Sequence, residues 1–393
     1  MNDARVDDVK VDDALDRRHD PIRFEFTGSG SEYFRIWIVN LLLTLLTLGV
    51  YSAWAKVRRE KYFHQNTRLA GASFDYLGRP MPILVGRAVA FGLLVLTQVA
   101  AFDALFSVFT WVLVLALLPW LLLRSGQFRL ANTSYRGLRF RLAATPAQIY
   151  RVFGGYLAII LVALVLMTIG TQGDSDGSVS GSIIVLLVAL YPLLSASWRK
   201  FVVNHARYGN LQFALPLRKR DFVRTYFRAG LVAAGLSVLI SLLAGLAVWL
   251  LSLPGGLFTQ VGTTVIAIAA GITVYALYFA VQPLVTARLQ NLCWKATTAS
   301  SKSLPELSIR HRFNSDLAAG SFALRSVRNW FLVIVTLGLF RPFAMVDLAR
   351  RRIAAVSVLP DASLDTVLSD LSSDNPNAVG SEAVDLLGFD ISL

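Results

Sequence analysis

Residues 229–287 read AGLVAAGLSVLISLLAGLAVWLLSLPGGLFTQVGTTVIAIAAGITVYALYFAVQPLVTA. These 59 consecutive positions hold no Asp, Glu, Lys or Arg. A soluble domain has no use for such a run, whereas two membrane-spanning helices of about 20 residues each, joined by a turn, require it. The rest of the chain agrees. Of its 393 residues 55% are hydrophobic and 16% charged, against about 45–50% and about 25% in soluble globular proteins. This balance excludes a soluble enzyme, a disulfide-stapled secreted module and a disordered chain. Cys293, the one cysteine, rules out an internal disulfide and a multi-cysteine metal site.

Charge is as uneven as hydrophobicity. The net charge is +13, yet residues 1–20 sum to −3 and residues 353–393 to −7, so the body 21–352 carries +23. The two acidic ends read as disordered solvated tails (1–20 and 353–393) flanking one membrane domain, 21–352. The acidic start and the late first apolar run, near Ile36, lack the pattern of a cleaved leader.

Uncharged apolar stretches lie at 36–55, 88–102, 104–123, 152–173, 177–198, 229–252, 258–287 and 329–340, and all 38 Lys and Arg fall outside them. Basic residues stay on the cytoplasmic side of a bacterial membrane. Eight spans with the N-terminus inside would export 28 basic residues, and eight with it outside would export 10. Six spans in three helical hairpins (84–123, 152–198 and 229–287) export none. The expectation is a mainly α, polytopic helical bundle with six transmembrane helices and both termini cytoplasmic, with eight spans as the alternative. In this reading 36–55 and 329–340 are re-entrant or interfacial helix–turn–helix segments. The second holds twelve residues, about 18 Å of helix, too short for a hydrocarbon core of about 30 Å.

Those two end pieces match at a constant offset of 289. Thr47-Leu48-Gly49-Val50-Tyr51 aligns with Thr336-Leu337-Gly338-Leu339-Phe340, Asn40 with Asn329, and Phe24 with Phe313. A mid-run Gly permits a bend. Polar or flexible groups at membrane depth are the candidate functional positions, because unsatisfied ones cost several kcal/mol in lipid: Asn40, Thr44, Thr47, Gly49, Gln98, Gln282, Asn329, Thr336, Gly338 and Arg341. For Asn40 and Asn329 two roles stand side by side, satisfying backbone freed at a bend and coordinating a substrate.

The basic segments repeat as well. Asn66-Thr67 precedes Gly71 and Phe74, Asn132-Thr133 precedes Gly137 and Phe140 at identical spacing, and Asn204-His205 precedes Gly209 and Phe213 one residue longer. Apolar–polar alternation around each Gly predicts short cytoplasmic β-hairpins, near 22–27, 67–77, 133–142, 206–215 and 306–313. Isolated hairpins are marginal in water, so they are expected to pair into one sheet under the membrane.

The block Phe24-x-Phe26-x-Gly28-x-Gly30-x-Glu32-Tyr33-Phe34, continued by Val39-Asn40, Thr44, Thr47-Leu48-Gly49-Val50-Tyr51 and Trp54-Ala55, resembles the YjgN-like family of bacterial inner-membrane proteins. The likeness continues through Asn66 to Tyr76 and returns at Arg310 to Leu359. It implies a polytopic inner-membrane protein with a domain of unknown function, and no assigned site residue.

Catalytic motifs are weak. Gly173-Asp174-Ser175-Asp176-Gly177 has a nucleophile-elbow spacing without strand, helix or base around it. Gly28 and Gly30 lack the third Gly of a dinucleotide loop. His19, His64, His205 and His311 form no metal-ligand spacing. The Asn132-Thr133-Ser134 sequon lies on the expected cytoplasmic side. Trp37, Trp54, Trp111, Trp120 and Trp198 suit interfacial belts. No catalytic, cofactor-binding or metal site is expected. Lipid, with anionic phospholipid head groups, is the expected partner and nucleic acid is not; no protein partner is named by the pattern. Two functions remain: permease- or channel-like movement of a small solute, and a non-transporting scaffold or lipid-handling protein with a basic cytoplasmic platform. A polar track joining Gln98, Gln282, Asn40 and Asn329 would favour the first, and a dry bundle the second.

Overall fold

The computed structural model describes residues 20–100, 102–170, 178–209, 211–251, 279–301 and 310–360. Its elements run β1 (Ile22–Phe26), α1 (Gly30–Leu46), α2 (Ser52–Gln65), β2 (Thr67–Leu69), β3 (Ala72–Tyr76), α3 (Pro80–Ala100), α4 (Ala104–Ala131), β4 (Thr133–Tyr135), β5 (Leu138–Leu142), α5 (Pro146–Gly170), α6 (Ser178–His205), β6 (Ala206–Tyr208), β7 (Leu211–Ala214), α7 (Lys219–Leu251), α8 (279–296), β8 (Thr298–Ser301), β9 (Arg310–Ser315), α9 (Ala319–Val335), α10 (Arg341–Ala354) and β10 (Val356–Leu359).

The order is strand–helix–helix–strand, five times over. The ten strands form one closed antiparallel barrel in the order β1-β10-β9-β8-β7-β6-β5-β4-β3-β2. Closure leaves no unpaired edge. The seam is the pair of chain ends, with Ile22 opposite Val358 and Arg23 opposite Ser357. This overturns the expected mainly α bundle with short hairpins. The hairpins do pair into one sheet, as expected, but that sheet closes on itself as a barrel, and the residues read as the start of a C-terminal tail supply β10, so the ordered region runs past 353. Among the described residues five helices are long and apolar enough to cross a membrane: Pro80–Ala100, Leu105–Ala131, Pro146–Leu166, Gly181–His205 and Lys219–Leu243. That is not the six clear spans expected. Much of the stretch 258–287, residues 254–256, the motif at 173–177, His19 and most of both tails lie outside the described residues.

Alternation builds the barrel. In β1, Ile22, Phe24 and Phe26 point inward and Arg23 and Glu25 outward; in β5, Leu138, Phe140 and Leu142 point inward and Arg139 and Arg141 outward. One layer of the lumen is the same residue from every unit. Phe24, Phe74, Phe140, Phe213 and Phe313 stand opposite Leu69, Tyr135, Tyr208, Ala299 and Val358. Leu69, Tyr135, Tyr208, Leu211 and Val358 make a buried cluster against which these phenylalanines pack. The lumen is therefore a packed apolar core. Two tyrosines stitch it: Tyr208 Oη donates to Tyr135 O and Tyr135 Oη to Leu69 O, both at 2.8 Å. Burial pushes the Tyr208 hydroxyl well above its ordinary pKa. The tight turns Ala70-Gly71 and Arg136-Gly137 have positive φ at both central residues, the hairpin geometry that matches strand twist.

Helices leave the barrel at one end. In four units the residue after the outgoing strand donates its backbone N–H to the carbonyl that ends the returning helix: Thr27 to Asn66 O, Leu77 to Asn132 O, Ala143 to His205 O and Asp316 to Ala355 O, at 2.8–3.0 Å. The last helical carbonyls are capped by side chains of one structural position. Asn66 Nδ2 donates to Tyr62 O (2.9 Å), Asn132 Nδ2 to Phe128 O (2.8 Å), His205 Nδ1 to Phe201 O (2.8 Å) and Thr297 Oγ1 to Cys293 O (2.7 Å). His205, rather than Asn204, thus matches Asn66 and Asn132. The Asn204 Oδ1 instead accepts from Leu215 N at 2.7 Å.

Each unit's second helix packs against the next unit's first: α2 on α3, α4 on α5, α6 on α7, and α10 back on α1. The ring holds two sizes of helix pair. Helix α4 and α6 have 28 residues each, about 42 Å, whereas α2 and α10 have 14 each, about 21 Å. The short pairs, α1–α2 and α9–α10, are neighbours across the seam. Arg350 Nη2 donates to Gly28 O at 2.7 Å across 322 residues of sequence and pins that closure.

Candidate functional site

The polar positions expected at membrane depth do not converge. They build the two short helix pairs. Thr47 Oγ1 donates to Leu43 O (2.8 Å) and accepts from Tyr51 N (2.9 Å); Thr336 Oγ1 donates to Leu332 O (2.6 Å) and accepts from Phe340 N (3.0 Å). Each threonine closes one helix and starts the next. Between them Leu48-Gly49 and Leu337-Gly338 share positive φ, with Gly49 N bonded to Thr44 O and Gly338 N to Val333 O. This is a Schellman turn, for which glycine is the unstrained residue. Asn40 is buried, accepts from Arg58 Nη1 at 3.5 Å, and its carbonyl accepts from Thr44 Oγ1. Asn329 is buried, donates Nδ2 to Asp347 Oδ2 at 3.0 Å and accepts from Arg328 Nη2. Both asparagines tie one helix of a short pair to the other. Gln98 is exposed on α3, Gln282 on α8 and Arg341 at the start of α10. None of these ten lines the cavities described next.

The space that the ring encloses lies directly against the aromatic floor of the barrel. A cavity of about 800 Å3 is walled by α4, α5, α6 and α8, with Phe140 and Phe213 at its base. It reaches Ile160 on α5 and Leu118 on α4, each about 20 Å along its helix from the barrel end. Leu118, Leu122, Leu157, Leu194 and Val202 line it with Trp198, and its charged groups are Arg129 and Arg199 at the barrel end. A second cavity, about 420 Å3, rests on Phe24 and Phe74 and is lined by His64, Thr67, Thr133, Gln290 and Arg352. Trp294 borders both, with its ring 6.2 Å from Phe24 and 5.4 Å from Phe313.

One position per unit faces this space, four residues before each returning strand: Phe63, Arg129, Val202, Trp294 and Arg352. Two of the five are arginines, and Arg199 stands one helical turn back on α6. Arg352 is oriented by a reciprocal pair of hydrogen bonds: its Nε donates to Gln290 Oε1 (2.9 Å) and Gln290 Nε2 donates to Arg352 O (2.8 Å). Burial, and then the charge of Arg199, hold the Arg352 guanidinium below its ordinary pKa. Arg129, Arg199 and Arg352 line the cavities, and none has a carboxylate partner among the described residues. On the same level His64 donates Nδ1 to Glu60 O (2.7 Å), and its Nε2 faces Thr133 Oγ1 at 3.5 Å. These cationic groups were legible only as topology markers in the sequence; counting four residues back from each returning strand aligns Arg129 with Arg352 but does not reach Arg199. Among the described residues no cluster of His, Cys, Asp or Glu could hold a metal ion.

The family model described as "Bacterial protein of unknown function (DUF898)" matches residues 21–386. The chain belongs to this family. The match covers the barrel and both helix sizes alike. The chain is similar to inner membrane protein YjgN of Salmonella typhimurium strain LT2, 26% identical over 340 residues, covering 82% of this chain and 84% of the relative. Inner membrane protein YjgN of Escherichia coli K12 is 33% identical over 119 residues, 30% of each chain. That of Escherichia coli O157:H7 is 28% identical over 173 residues, 42% of this chain and 43% of the relative. The resemblance carried by the Phe24–Ala55 block is therefore one of family. No solved structure matches.

Proposed function

We propose that this DUF898 protein is an inner-membrane, lipid-handling protein that receives an amphiphile in the slot between α4, α5, α6 and α8, with the barrel on the cytoplasmic side. The observation that carries this reading is the slot itself: about 800 Å3 of leucine, valine and tryptophan wall, charged only where it meets the barrel. Acyl chains favour such a wall by roughly 0.8 kcal/mol per buried CH2, and a polar solute gains nothing there. The packed phenylalanine layer supports the same reading, because it leaves no conduit along the barrel axis. Movement of a small solute would need the polar track that Asn40, Gln98, Gln282 and Asn329 do not form. The orientation is supported by the basic residues, which gather in the strands and at the barrel ends of the helices, and such residues remain inside.

The test is lipid retention. Protein extracted in mild detergent, purified by size exclusion and analysed by native mass spectrometry should carry stoichiometric lipid. Leu157→Trp with Leu194→Trp, which fill the slot, should abolish it, while Leu231→Trp on the exposed face of α7 should not. Wild-type protein that retains no more lipid than the slot-filled variant would overturn the reading.

A further inference from the structure

We propose that Arg129, Arg199 and Arg352 form a binding site for a phosphate-class oxyanion in the space between the barrel floor and the helix ring. The three guanidinium groups come from three different units, α4, α6 and α10, and reach one axial space through the two cavities that share Trp294. Arg129 and Arg199 share the first cavity and Arg352 lines the second, a crowding of like charge in which none of the three is paired with a carboxylate among the described residues. Snorkelling to the outer surface would remove the conflict, yet all three line the cavities. Arg352 is held in place by Gln290, which engages only its Nε and leaves the Nη pair as donors. An oxyanion with several acceptor oxygens relieves the repulsion and takes guanidinium donors in bidentate fashion. A carboxylate would satisfy one fork and leave the others, so a phosphate group fits better. Thr133 and His64 add polar groups to the rim of the second cavity.

The anion has two possible sources, the head group of a lipid in the slot and free inorganic phosphate. The head-group source rests on the slot reading above; the anion site does not.

The experiment uses the full chain, delipidated in detergent, and reads binding by native mass spectrometry and by calorimetric titration. The probes are phosphatidic acid, diacylglycerol with the same acyl chains, and inorganic phosphate. Phosphatidic acid should bind at least tenfold tighter than diacylglycerol. Arg129→Gln, Arg199→Gln and Arg352→Gln should each weaken it about ten- to hundredfold, the range of a charged hydrogen bond. Lysine at the same positions should restore part of the loss, and Arg68→Gln on the outer barrel surface should change nothing. Binding of both phosphate probes, or of phosphatidic acid alone, supports the site with a lipid as its ligand. Binding of inorganic phosphate alone supports the site and overturns the slot reading. Equal affinity for phosphatidic acid and diacylglycerol overturns the proposal even where the glutamine variants fail to fold. So does unchanged binding in folded glutamine variants, or no binding of either phosphate probe.

Discussion

Replacing Tyr208 probes the packed lumen from its centre. The side chain is 5% exposed. Its ring stacks on Phe140 with centroids 4.6 Å apart and planes at 29°, and its hydroxyl donates to Tyr135 O at 2.8 Å. Tyr208→Phe keeps the ring and removes only that donor. A buried carbonyl left without it costs about 1–3 kcal/mol. Tyr208→Ala also removes the ring and opens a cavity, which raises the cost to roughly 3–5 kcal/mol. Arg68→Ala, on the outward face of β2, should stay within about 0.5 kcal/mol. Thermal unfolding in detergent, followed by loss of the monodisperse size-exclusion peak, should rank the three in that order with clear gaps. A Tyr208→Ala variant as robust as Arg68→Ala would show that the lumen is not a core, and with it the argument against an axial conduit would fail.

Further outcomes follow from the helix pairs and the buried hydroxyls. Asn329→Leu should destabilise by about 1–3 kcal/mol because Asp347 loses a buried donor, and Asp347→Asn should recover part of that stability in the Asn329→Leu background; thermal denaturation of the single and double variants reads both. Burial is the first cause that pushes the Tyr62 hydroxyl up to about 12, from an unfolded value of about 10. A raised folded pKa means the stabilisation is complete below pH 10 and is lost as pH climbs toward 12. Alkaline denaturation curves should therefore steepen over that window, and Tyr62→Phe should flatten them at a cost in neutral stability, since Tyr62 also bonds Ser29 and Glu32.

Much of the α-helical part was legible because a bilayer demands long uncharged runs, as in the apolar part of Lys219–Leu251. The two short helix pairs were legible from the Thr-Leu-Gly turns at 47–49 and 336–338, which recur because the same cap is needed twice. The strands were visible as alternation around Gly71 and Gly137. Their closure was not visible. Strands of three to six residues carry little register information, and partners such as Tyr76 and Thr133, or Ile22 and Val358, are separated by whole helix pairs. The helical-bundle reading missed a related feature: helices such as α4 continue past their apolar stretch through Arg124 and Arg129 to the barrel. Those continuations are where the candidate site lies. A basic residue after an apolar run reads as a topology marker, and only the barrel shows which of them turn inward. The asparagines at 40 and 329 misled in the opposite sense, since polarity at depth there serves helix-to-helix ties.

The account depends on the chain ends meeting in one barrel. In a Cys293→Ser background, the pair Arg23→Cys and Ser357→Cys places two thiols on directly opposed residues of β1 and β10, where opposed antiparallel Cα atoms lie about 4.5–5.5 Å apart. Mild oxidation in native membranes should close an intramolecular disulfide that changes gel mobility and reverses with reductant. The pair Arg23→Cys and Arg139→Cys, on strands that are not neighbours, should stay reduced. Failure of the first pair to cross-link, or equal cross-linking of both, would contradict the closed barrel and the enclosed site beneath it.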